Sequence, residues 1–329
     1  MLTPIVRRSL DCLQNCVMTI LGAYTDGYPM CFCLSWNFAY QKSNNQVLGK
    51  QISNGGLEII PNAERLFGAV FQPELDENFE RFCERLESHV RERRMPMLYL
   101  DSFFCPWYPV YRKLHREHYC IVTGLTEKGN YLCLDPILEK SDVVLEKREL
   151  QNCFDHYILV TFPQPINVDT SPACLYALAM EGVERYIQSG CAAQMRAFAA
   201  DFYESFDYKK EFQDLETYFF DVELFKQLTY VAGGRELYGE YIRFLACRDP
   251  AAPLLCYAQR LEAVASRWSV IKGILTKSYY AHFDDEVKKR IFTHIQNIAE
   301  EEDSLSHDLL TYLKHRGREA HDFDRTAYG

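Results

Sequence analysis

The sequence predicts an α+β domain followed by an all-α domain, and three observations carry this prediction. The chain has 329 residues, whereas one domain typically organises ~100 to 200. Helical and strand-like patterns alternate up to about residue 165. Beyond it, apolar residues recur at helical spacing almost throughout. We therefore expect a domain at 1–165, in which an N-terminal helix packs on an antiparallel sheet, and a helical bundle at 166–329.

Elements of the first domain are indicated by caps, turns and periodicity. Asp11 is predicted to cap a helix from Cys12 to about Tyr24. A partial alternation predicts a strand at 30–40, and Pro73 is expected to open a helix that runs to about Arg94. The remaining elements are strands at 97–100, 118–124, 130–135 and 157–162, a hairpin turn at Glu127–Asn130, a short helix at 146–153 and a proline-containing linker at Phe162–Ile166.

The second domain is predicted as helices separated by breaker residues. Apolar spacing of three and four marks the segments 175–187, 192–206, 212–228, 237–247, 254–275 and 287–313. The breakers are Ser189-Gly190, Gly233-Gly234 and Asp249-Pro250. We expect this half either to shape an acceptor site or to form a homodimer.

Composition and charge exclude several classes of function. The chain is 48% hydrophobic and 25% charged, which is typical of globular proteins. Its net charge of −10 argues against a dedicated nucleic-acid or anionic-membrane surface. Thirteen cysteines without repeating spacing, no signal-peptide pattern and no apolar run of ~18 residues indicate reduced thiols in the cytoplasm.

Common motifs for nucleotide, serine-hydrolase and metal chemistry are absent from the sequence. GxxxxGK[ST], GxGxxG, GxSxG and HExxH do not occur. Cys31-x-Cys33 lacks the spacing and second pair of a zinc site, and His115 and His118 lack a nearby third ligand. We expect neither a metal nor a bound cofactor.

A nucleophilic thiol is the chemistry that the sequence favours, and Cys12 is its candidate. Cys12 falls in the first turn of a predicted helix, where free N–H groups favour a thiolate. A nucleophilic cysteine needs an imidazole, which needs an acceptor on its other nitrogen. His118 begins one strand of the predicted hairpin and Asp135 ends the next, so the two can meet at one rim of the sheet.

These blocks resemble a known family. Asp11-Cys-Leu-Gln-Asn-Cys-Val-Met-Thr-Ile-Leu21, His118-Tyr-Cys-Ile-Val-Thr-Gly124 and Leu132-Cys-Leu-Asp-Pro136 are similar to the Cys, His and Asp blocks of papain-like bacteriocin-processing peptidases. They are more similar to the butirosin-biosynthesis acyltransferase family and its relatives in peptide natural-product clusters. The motifs cover about residues 8–165, and the helical remainder matches by architecture.

The resemblance implies a papain-like fold in which Cys12 carries an acyl group, His118 moves protons and Asp135 orients His118. Its members take an acyl or aminoacyl group from a carrier-protein thioester, on a phosphopantetheine arm, and pass it to an amine. This makes an amide bond, as in nonribosomal peptide biosynthesis. Substrate contacts are then expected from Gln14, Asp101, Tyr108 and Tyr111.

One departure and two alternatives accompany this interpretation. Papain-like enzymes carry a Gln ahead of the nucleophile as oxyanion donor, and residues 5–9 contain none. Gln14 and Asn15 are candidates for the second donor, which stays unassigned.

A cysteine peptidase acting on a peptide would use the same three residues. A non-catalytic binding protein with a papain-like remnant would leave Cys12 without selective reactivity.

Overall fold

The structure is a computed structural model that divides into two compact units by its contacts. It describes residues 2–55, 57–213, 215, 219, 222–250, 253–281 and 283–327, the last ten of them by backbone alone. Unit 1 comprises Met1–Tyr28 and Ile60–Val168, and unit 2 comprises Pro29–Ile59 and Asp169–Gly329. Helices combine with antiparallel sheets, which confirms the α+β class. Among the described residues, no helix has the length and apolarity that a membrane crossing requires.

The elements are numbered in chain order. The α-helices are α1 (Cys12–Gly22), α2 (Ile59–Phe67), α3 (Phe79–Arg91), α4 (Lys147–Gln151), α5 (Pro172–Gln188), α6 (Cys191–Ser205), α7 (Tyr208–Glu211), α8 (Glu223–Arg248), α9 (Leu254–Tyr280) and α10 (Asp285–Ala327). The strands are β1 (Ala39–Tyr40), β2 (Ile52–Ser53), β3 (Val70–Leu75), β4 (Met97–Asp101), β5 (Glu117–Leu125), β6 (Tyr131–Asp135), β7 (Lys140–Leu145) and β8 (His156–Thr161). Unit 1 holds a six-stranded sheet in the order β3-β8-β4-β5-β6-β7, and unit 2 holds the β1-β2 pair.

Helix α1 begins at Cys12 because Asp11 caps it, as predicted. The Asp11 carboxylate accepts the Gln14 N–H at 2.7 Å, and the Gln14 side-chain oxygen accepts the Asp11 N–H at 3.2 Å. This reciprocal pair is a capping box, which satisfies two donors at the helix start. The first residue of the helix is therefore held in a defined position.

The predicted helix from Pro73 is wrong in its first two turns. Pro73 lies in β3, an edge strand whose one partner among the described residues is β8. An edge strand tolerates proline because one side of its backbone needs no ladder hydrogen bond. Helix α3 starts at Phe79 instead, where the Asn78 side chain accepts the Arg81 N–H at 3.0 Å.

The other predicted elements of unit 1 are confirmed to within a few residues. The four predicted strands correspond to β4, β5, β6 and β8, and the predicted short helix corresponds to α4. Residues from α3, the central strands and α4 form the main core of the unit. They include Phe82, Leu86, Leu98, Leu100, Cys120, Val122, Tyr131, Cys133, Leu145 and Leu150. This core fixes the sheet that carries the candidate site.

Residues 29–59 belong with the helical unit, which differs from the predicted division of the chain at residue 165. The predicted strand at 30–40 is a 3-10 helix at Tyr28–Phe32 followed by a coil and the two-residue strand β1. Trp36 is 1% exposed, and its ring stacks on Tyr186 of α5 at 4.4 Å. Burying this indole among helices explains why the segment leaves the sheet domain.

Helix α8 is continuous, so the predicted break at Gly233-Gly234 is wrong. A Cβ on Gly234 would overlap the carbonyl oxygen of Ser35, so glycine permits close packing of α8 on the 29–59 segment. The other predicted helices correspond to α5, α6, α8, α9 and α10. The predicted helix at 212–228 matches α8 from Glu223, and part of it lies outside the described residues.

Candidate functional site

His118 and Asp135 meet on one face of the sheet in unit 1. Ile121 of β5 pairs with Leu134 of β6, so Asp135 lies opposite Cys120, and His118 lies two residues before Cys120. Residues two apart on a strand share a face, which makes His118 and Asp135 diagonal neighbours. Nε2 of His118 lies 2.6 Å from Oδ2 of Asp135. Both side chains are at most 1% exposed.

Two further groups hold the Asp135 carboxylate. Trp107 donates its indole N–H to Oδ2 at 2.8 Å, and the Leu138 N–H donates to Oδ1 at 3.3 Å. An ionised carboxylate only accepts hydrogen bonds, so the imidazole donates from Nε2. The remaining nitrogen of His118, Nδ1, is then the one that is available to a thiol.

Cys12 supplies that thiol from the N-terminus of α1. It is half-buried, and its side chain is close enough to His118 to affect the pKa of the imidazole. Burial lowers the pKa of His118, but the hydrogen bond with Asp135 and the interaction with Cys12, with the charges of both, raise it to about 9. His118 is therefore mostly imidazolium at neutral pH. The structure thus places Cys12, His118 and Asp135 near one another, with a hydrogen bond between His118 and Asp135.

Four other thiols of unit 1 lack this setting. Cys16 lies one turn further along α1, where burial and then the charge of Cys12 raise the pKa of its thiol. Cys105 and Cys120 are fully buried among apolar residues. Cys153 is half-buried, but its thiol donates to the Glu149 carbonyl, and burial raises its pKa to about 11. Of these thiols, Cys12 is the one that is both partly accessible and next to the His118 imidazole.

Gln14 and Asn15 both serve the start of α1. The Gln14 side-chain oxygen is held in the capping box. Asn15 is fully buried, and its amide nitrogen donates to the carbonyls of Arg7, Leu10 and Asp11. All donors of the Asn15 amide are thus committed to the backbone. The backbone N–H of Cys12 remains the first candidate to stabilise an oxyanion.

The predicted substrate-contact residues fall into two groups. Tyr108 lies against the site, since its ring meets the His118 ring edge-on at 4.6 Å. Asp101 instead accepts the Phe103 N–H at 2.9 Å and bonds Nδ1 of His115 at 2.6 Å. Tyr111 donates to Glu149 at 3.2 Å. The described contacts of Asp101 and Tyr111 are therefore with residues other than Cys12, His118 and Asp135.

Sequence reasoning missed a second hydrogen-bonded group, which lies on the other face of the sheet from His118. It consists of Tyr119, His156 and Asp155, joined by contacts of 2.8 Å each. These residues lie on or next to β5 and β8, which are separated in the sheet by β4. The sequence does contain one signal, because strand alternation places Tyr119 on the face opposite His118. The strand order that brings His156 next to Tyr119 has no signature in the sequence.

Comparisons with known proteins add no family assignment. The chain matches no protein-family model and no curated protein. Among the described residues, no three His, Cys, Asp or Glu side chains come together as a metal ion would require.

Proposed function

We propose that this chain is a cysteine-dependent acyltransferase with a papain-like catalytic unit. It moves an acyl or aminoacyl group from a carrier-protein thioester to an amine and so forms an amide bond. The observation that carries the proposal is the buried His118–Asp135 hydrogen bond, with the half-buried Cys12 next to His118 at the N-terminus of α1. The capped helix, the buried carboxylate and the sheet register all support this arrangement.

The first step transfers the acyl group to Cys12. A cationic imidazole and a helix N-terminus both favour the thiolate form of a neighbouring cysteine. The sulfur attacks the thioester carbonyl, and the backbone N–H of Cys12 stabilises the oxyanion that forms. As the bond to the carrier thiol breaks, His118 gives its proton to the departing sulfur. The products are the Cys12 thioester, the free carrier thiol and a neutral His118.

The second step transfers the acyl group from Cys12 to an amine. The amine attacks the carbonyl, the carbon–sulfur bond breaks, and a nitrogen proton passes to His118, which restores the imidazolium beside the thiolate. Water competes with the amine for the acyl-enzyme, so transfer needs a shielded site. The Tyr108 ring against His118 and the Trp107 indole on Asp135 supply such cover on this side of the site.

The partners follow from this chemistry. The acyl donor is a carrier protein whose phosphopantetheine arm bears the thioester, and the acceptor is an amine. A thioester is more activated than an amide, so it needs less oxyanion stabilisation, which suits a site whose second donor is unassigned. The proposed location is the cytoplasm, where thiols stay reduced, and the described residues hold no disulfide.

Acylation by a minimal thioester tests the proposal. The full-length chain is incubated with an acyl N-acetylcysteamine thioester, and the modified residue is located by peptide mass mapping. We expect the acyl group on Cys12, lost in Cys12→Ala and retained in Cys16→Ala, the matched control one turn along the same helix. With an added amine, we expect the amide product.

Three other results would contradict the proposal. Acylation of a different cysteine would remove Cys12 from the mechanism. Cleavage of a peptide with no amine ever acylated would assign the chain to the cysteine peptidases. A Cys12 that reacts with neither the thioester nor alkylating agents faster than the exposed Cys247 and Cys256 would indicate a non-catalytic binding protein.

A further inference from the structure

The 102–116 loop, which connects β4 to β5, carries two side chains that lie against the buried His118–Asp135 pair. Trp107 donates its indole N–H to Oδ2 of Asp135 at 2.8 Å, and the Tyr108 ring meets the His118 ring at 4.6 Å. Neither Trp107 nor Tyr108 belongs to a helix or a strand. Their positions therefore depend on the contacts that hold the loop in place.

Hydrogen bonds close the loop at its base. The Ser102 N–H donates to the Arg116 carbonyl at 2.8 Å, and the Ser102 hydroxyl donates to the Leu114 carbonyl at 2.9 Å. Ser102 is fully buried, where a hydrogen bond is stronger than in water. Further along, the Arg112 N–H donates to the Phe103 carbonyl at 3.0 Å. Arg112 thus closes the loop a second time, nearer its tip.

The backbone of Arg112 has a conformation that needs support from its surroundings. Its φ is 58°, in the left-handed region that residues with a Cβ rarely adopt, and such conformations persist only where neighbouring contacts hold them. The guanidinium lies 5.5 Å from the ring centre of Phe103 and 5.1 Å from those of Phe104 and Tyr111. A guanidinium within about 6 Å of an aromatic ring is attracted to its face. The side chain of Arg112 therefore holds the same turn as its backbone.

A carboxylate on α4 anchors this arginine. Nη2 of Arg112 donates to Oε1 and Oε2 of Glu149 at 3.0 and 2.7 Å, and the Tyr111 hydroxyl donates to Oε1 at 3.2 Å. Glu149 is 7% exposed, and an unpaired charge would be poorly solvated there. Leu150, the next residue of α4, is fully buried in the core of unit 1. Three hydrogen bonds thus fasten the loop to a helix that the core holds in place.

The Arg112–Glu149 pair differs from a surface ion pair on the same helix. Arg148 pairs with Glu146 at 2.6 Å, and their side chains are 77% and 47% exposed. Such a pair contributes little to stability and connects neighbours in sequence. Arg112 and Glu149 are 37 residues apart, and the carboxylate partner is buried. Breaking this pair therefore releases the loop from α4.

We propose that Arg112 and Glu149 are positioning residues for the proposed acyl transfer, on which this inference rests. By fastening the loop to α4, they keep the Trp107 indole on the carboxylate and the Tyr108 ring against the imidazole of the His118–Asp135 pair. The indole orients the carboxylate that orients the imidazole, and the Tyr108 ring covers the imidazole on one side. The described contacts of Arg112 and Glu149 do not include this pair, so both act through the loop.

The indole N–H of Trp107 reports directly on the position of the loop. The chain has three tryptophans, so an NMR spectrum of the isotope-labelled indoles shows three N–H signals, and Trp107→Phe identifies one of them. An indole N–H that donates to a carboxylate resonates downfield and exchanges slowly with water. We expect Arg112→Gln to move this signal upfield and to speed its exchange by about tenfold or more, as the loss of a hydrogen bond to a charged group implies. The signals of Trp36 and Trp268 in unit 2 should stay in place.

Acylation rates test whether Arg112 acts through Trp107. The full-length wild type, Arg112→Gln, Trp107→Phe and the double variant are acylated with the N-acetylcysteamine thioester, and the acyl-enzyme is followed by mass spectrometry. Each single variant should slow acylation by about tenfold, the effect of losing one hydrogen bond to a charged group. The double variant should be at most about twofold slower than Trp107→Phe alone, because the two changes remove the same interaction.

Two further variants serve as controls. Arg148→Gln removes the exposed guanidinium next to Glu149 on the same helix and should match the wild type in both measurements. Arg112→Lys keeps a positive charge beside Glu149 but lacks the planar group that the rings contact. Its losses should therefore be smaller than those of Arg112→Gln, which keeps the test decisive if Arg112→Gln fails to fold.

Four results would overturn the positioning role. They are an unchanged Trp107 signal in Arg112→Gln, wild-type acylation by that variant, losses that multiply in the double variant, and an equal loss in Arg148→Gln. A wild type that forms no acyl-enzyme would instead contradict the proposed acyl transfer itself. The Trp107 signal would still show in that case whether Arg112 holds the loop.

Discussion

Trp107 donates its indole N–H to Oδ2 of Asp135 at 2.8 Å, the same oxygen that lies 2.6 Å from Nε2 of His118. Two donors thus converge on one carboxylate oxygen in a site that excludes solvent, and the Leu138 N–H occupies the other oxygen. Charge-assisted hydrogen bonds of this kind are stronger than neutral ones. The orientation of the His118 ring is therefore set by a carboxylate that is itself held in place.

Asp135→Asn tests this orientation. The amide carries no charge to stabilise the imidazolium, so we expect the pKa of His118 to fall. Acylation of Cys12 should slow by about 100-fold or more, since proton transfer by a positioned imidazole is worth about that much. Stopped-flow acylation with the minimal thioester measures it.

Trp107→Phe is the matched control for that change. It keeps the carboxylate and removes only the indole donor, a hydrogen bond to a charged group worth about 1.5–3 kcal/mol. We expect a loss of acylation rate smaller than that of Asp135→Asn. Equal rates in Asp135→Asn and the wild type would show that the carboxylate does not orient His118.

The raised pKa of His118 predicts that the free energy of unfolding depends on pH. Its pKa is about 9 in the folded protein, against about 6.5 in an unfolded chain. A raised pKa contributes stability that is fully present below about pH 6.5 and is lost as the pH rises through about 9. The contribution is on the order of 3 kcal/mol.

Urea unfolding at about pH 6 and about pH 9.5, followed by circular dichroism, measures this contribution. The free energy of unfolding should differ more between the wild type and His118→Gln at the lower pH, because the variant lacks the titrating ring. The subtraction removes groups that titrate alike in both proteins. A difference that is the same at both pH values would mean that His118 titrates near its ordinary pKa.

Local signals predicted much of the candidate site. Asp11 with Gln14 is a cap that acts over four residues, and the hairpin between β5 and β6 is closed by a turn in which Gly129 has a φ of 76°. Such features depend on neighbours in sequence, which is why α1 and the His118–Asp135 pairing could be anticipated. Asp135 and His118 are joined by one hairpin, so no knowledge of the wider sheet was needed.

Features set by tertiary packing could not be predicted. Proline is favoured at the first position of a helix, but it is also tolerated on an edge strand, which is where Pro73 lies. Strand β7 carries Lys140, Ser141 and Asp142 at its start, so it lacks an apolar alternation. Residues 29–59 separate from the sheet because Trp36 finds its ring partners on helices. Each outcome depends on contacts with distant parts of the chain.

Gly234 occupies a position in α8 that we expect to tolerate no side chain. A Cβ there would overlap the Ser35 carbonyl oxygen and crowd the Asn54 side chain. We expect Gly234→Ala to lower the free energy of unfolding by about 2 kcal/mol or more, as overpacking of a well-packed interior does. Thermal unfolding followed by circular dichroism measures the change.

Gly273→Ala is the matched control for that position. It lies within α9, and nothing comes within 4 Å of a Cβ built there. Alanine costs less backbone entropy than glycine in a helix, so this variant should be stabilised by about 0.5–1 kcal/mol. If both variants shift in the same direction, helix propensity rather than close packing decides the effect at Gly234.

Arg235 and Glu302 form an ion pair that is fully buried in unit 2. The Glu302 carboxylate accepts two hydrogen bonds from Arg235 at 2.8 and 2.9 Å and one from the Trp36 indole at 2.8 Å. Arg235 also donates to the Asn37 carbonyl at 2.6 Å. Removing one partner of such a pair leaves an uncompensated charge in a medium that solvates it poorly.

Glu302→Gln should therefore lower the free energy of unfolding of this unit by about 3–5 kcal/mol. The adjacent Asp303 provides the comparison, because it pairs with Arg196 at 3.3 Å with both side chains at least 40% exposed. Surface pairs contribute about 0–1 kcal/mol, so Asp303→Asn should have little effect. Urea unfolding of the two variants measures both values. Equal effects would mean that water reaches Arg235 and relieves its charge, in which case the pair is not what holds residues 29–59 on the helices.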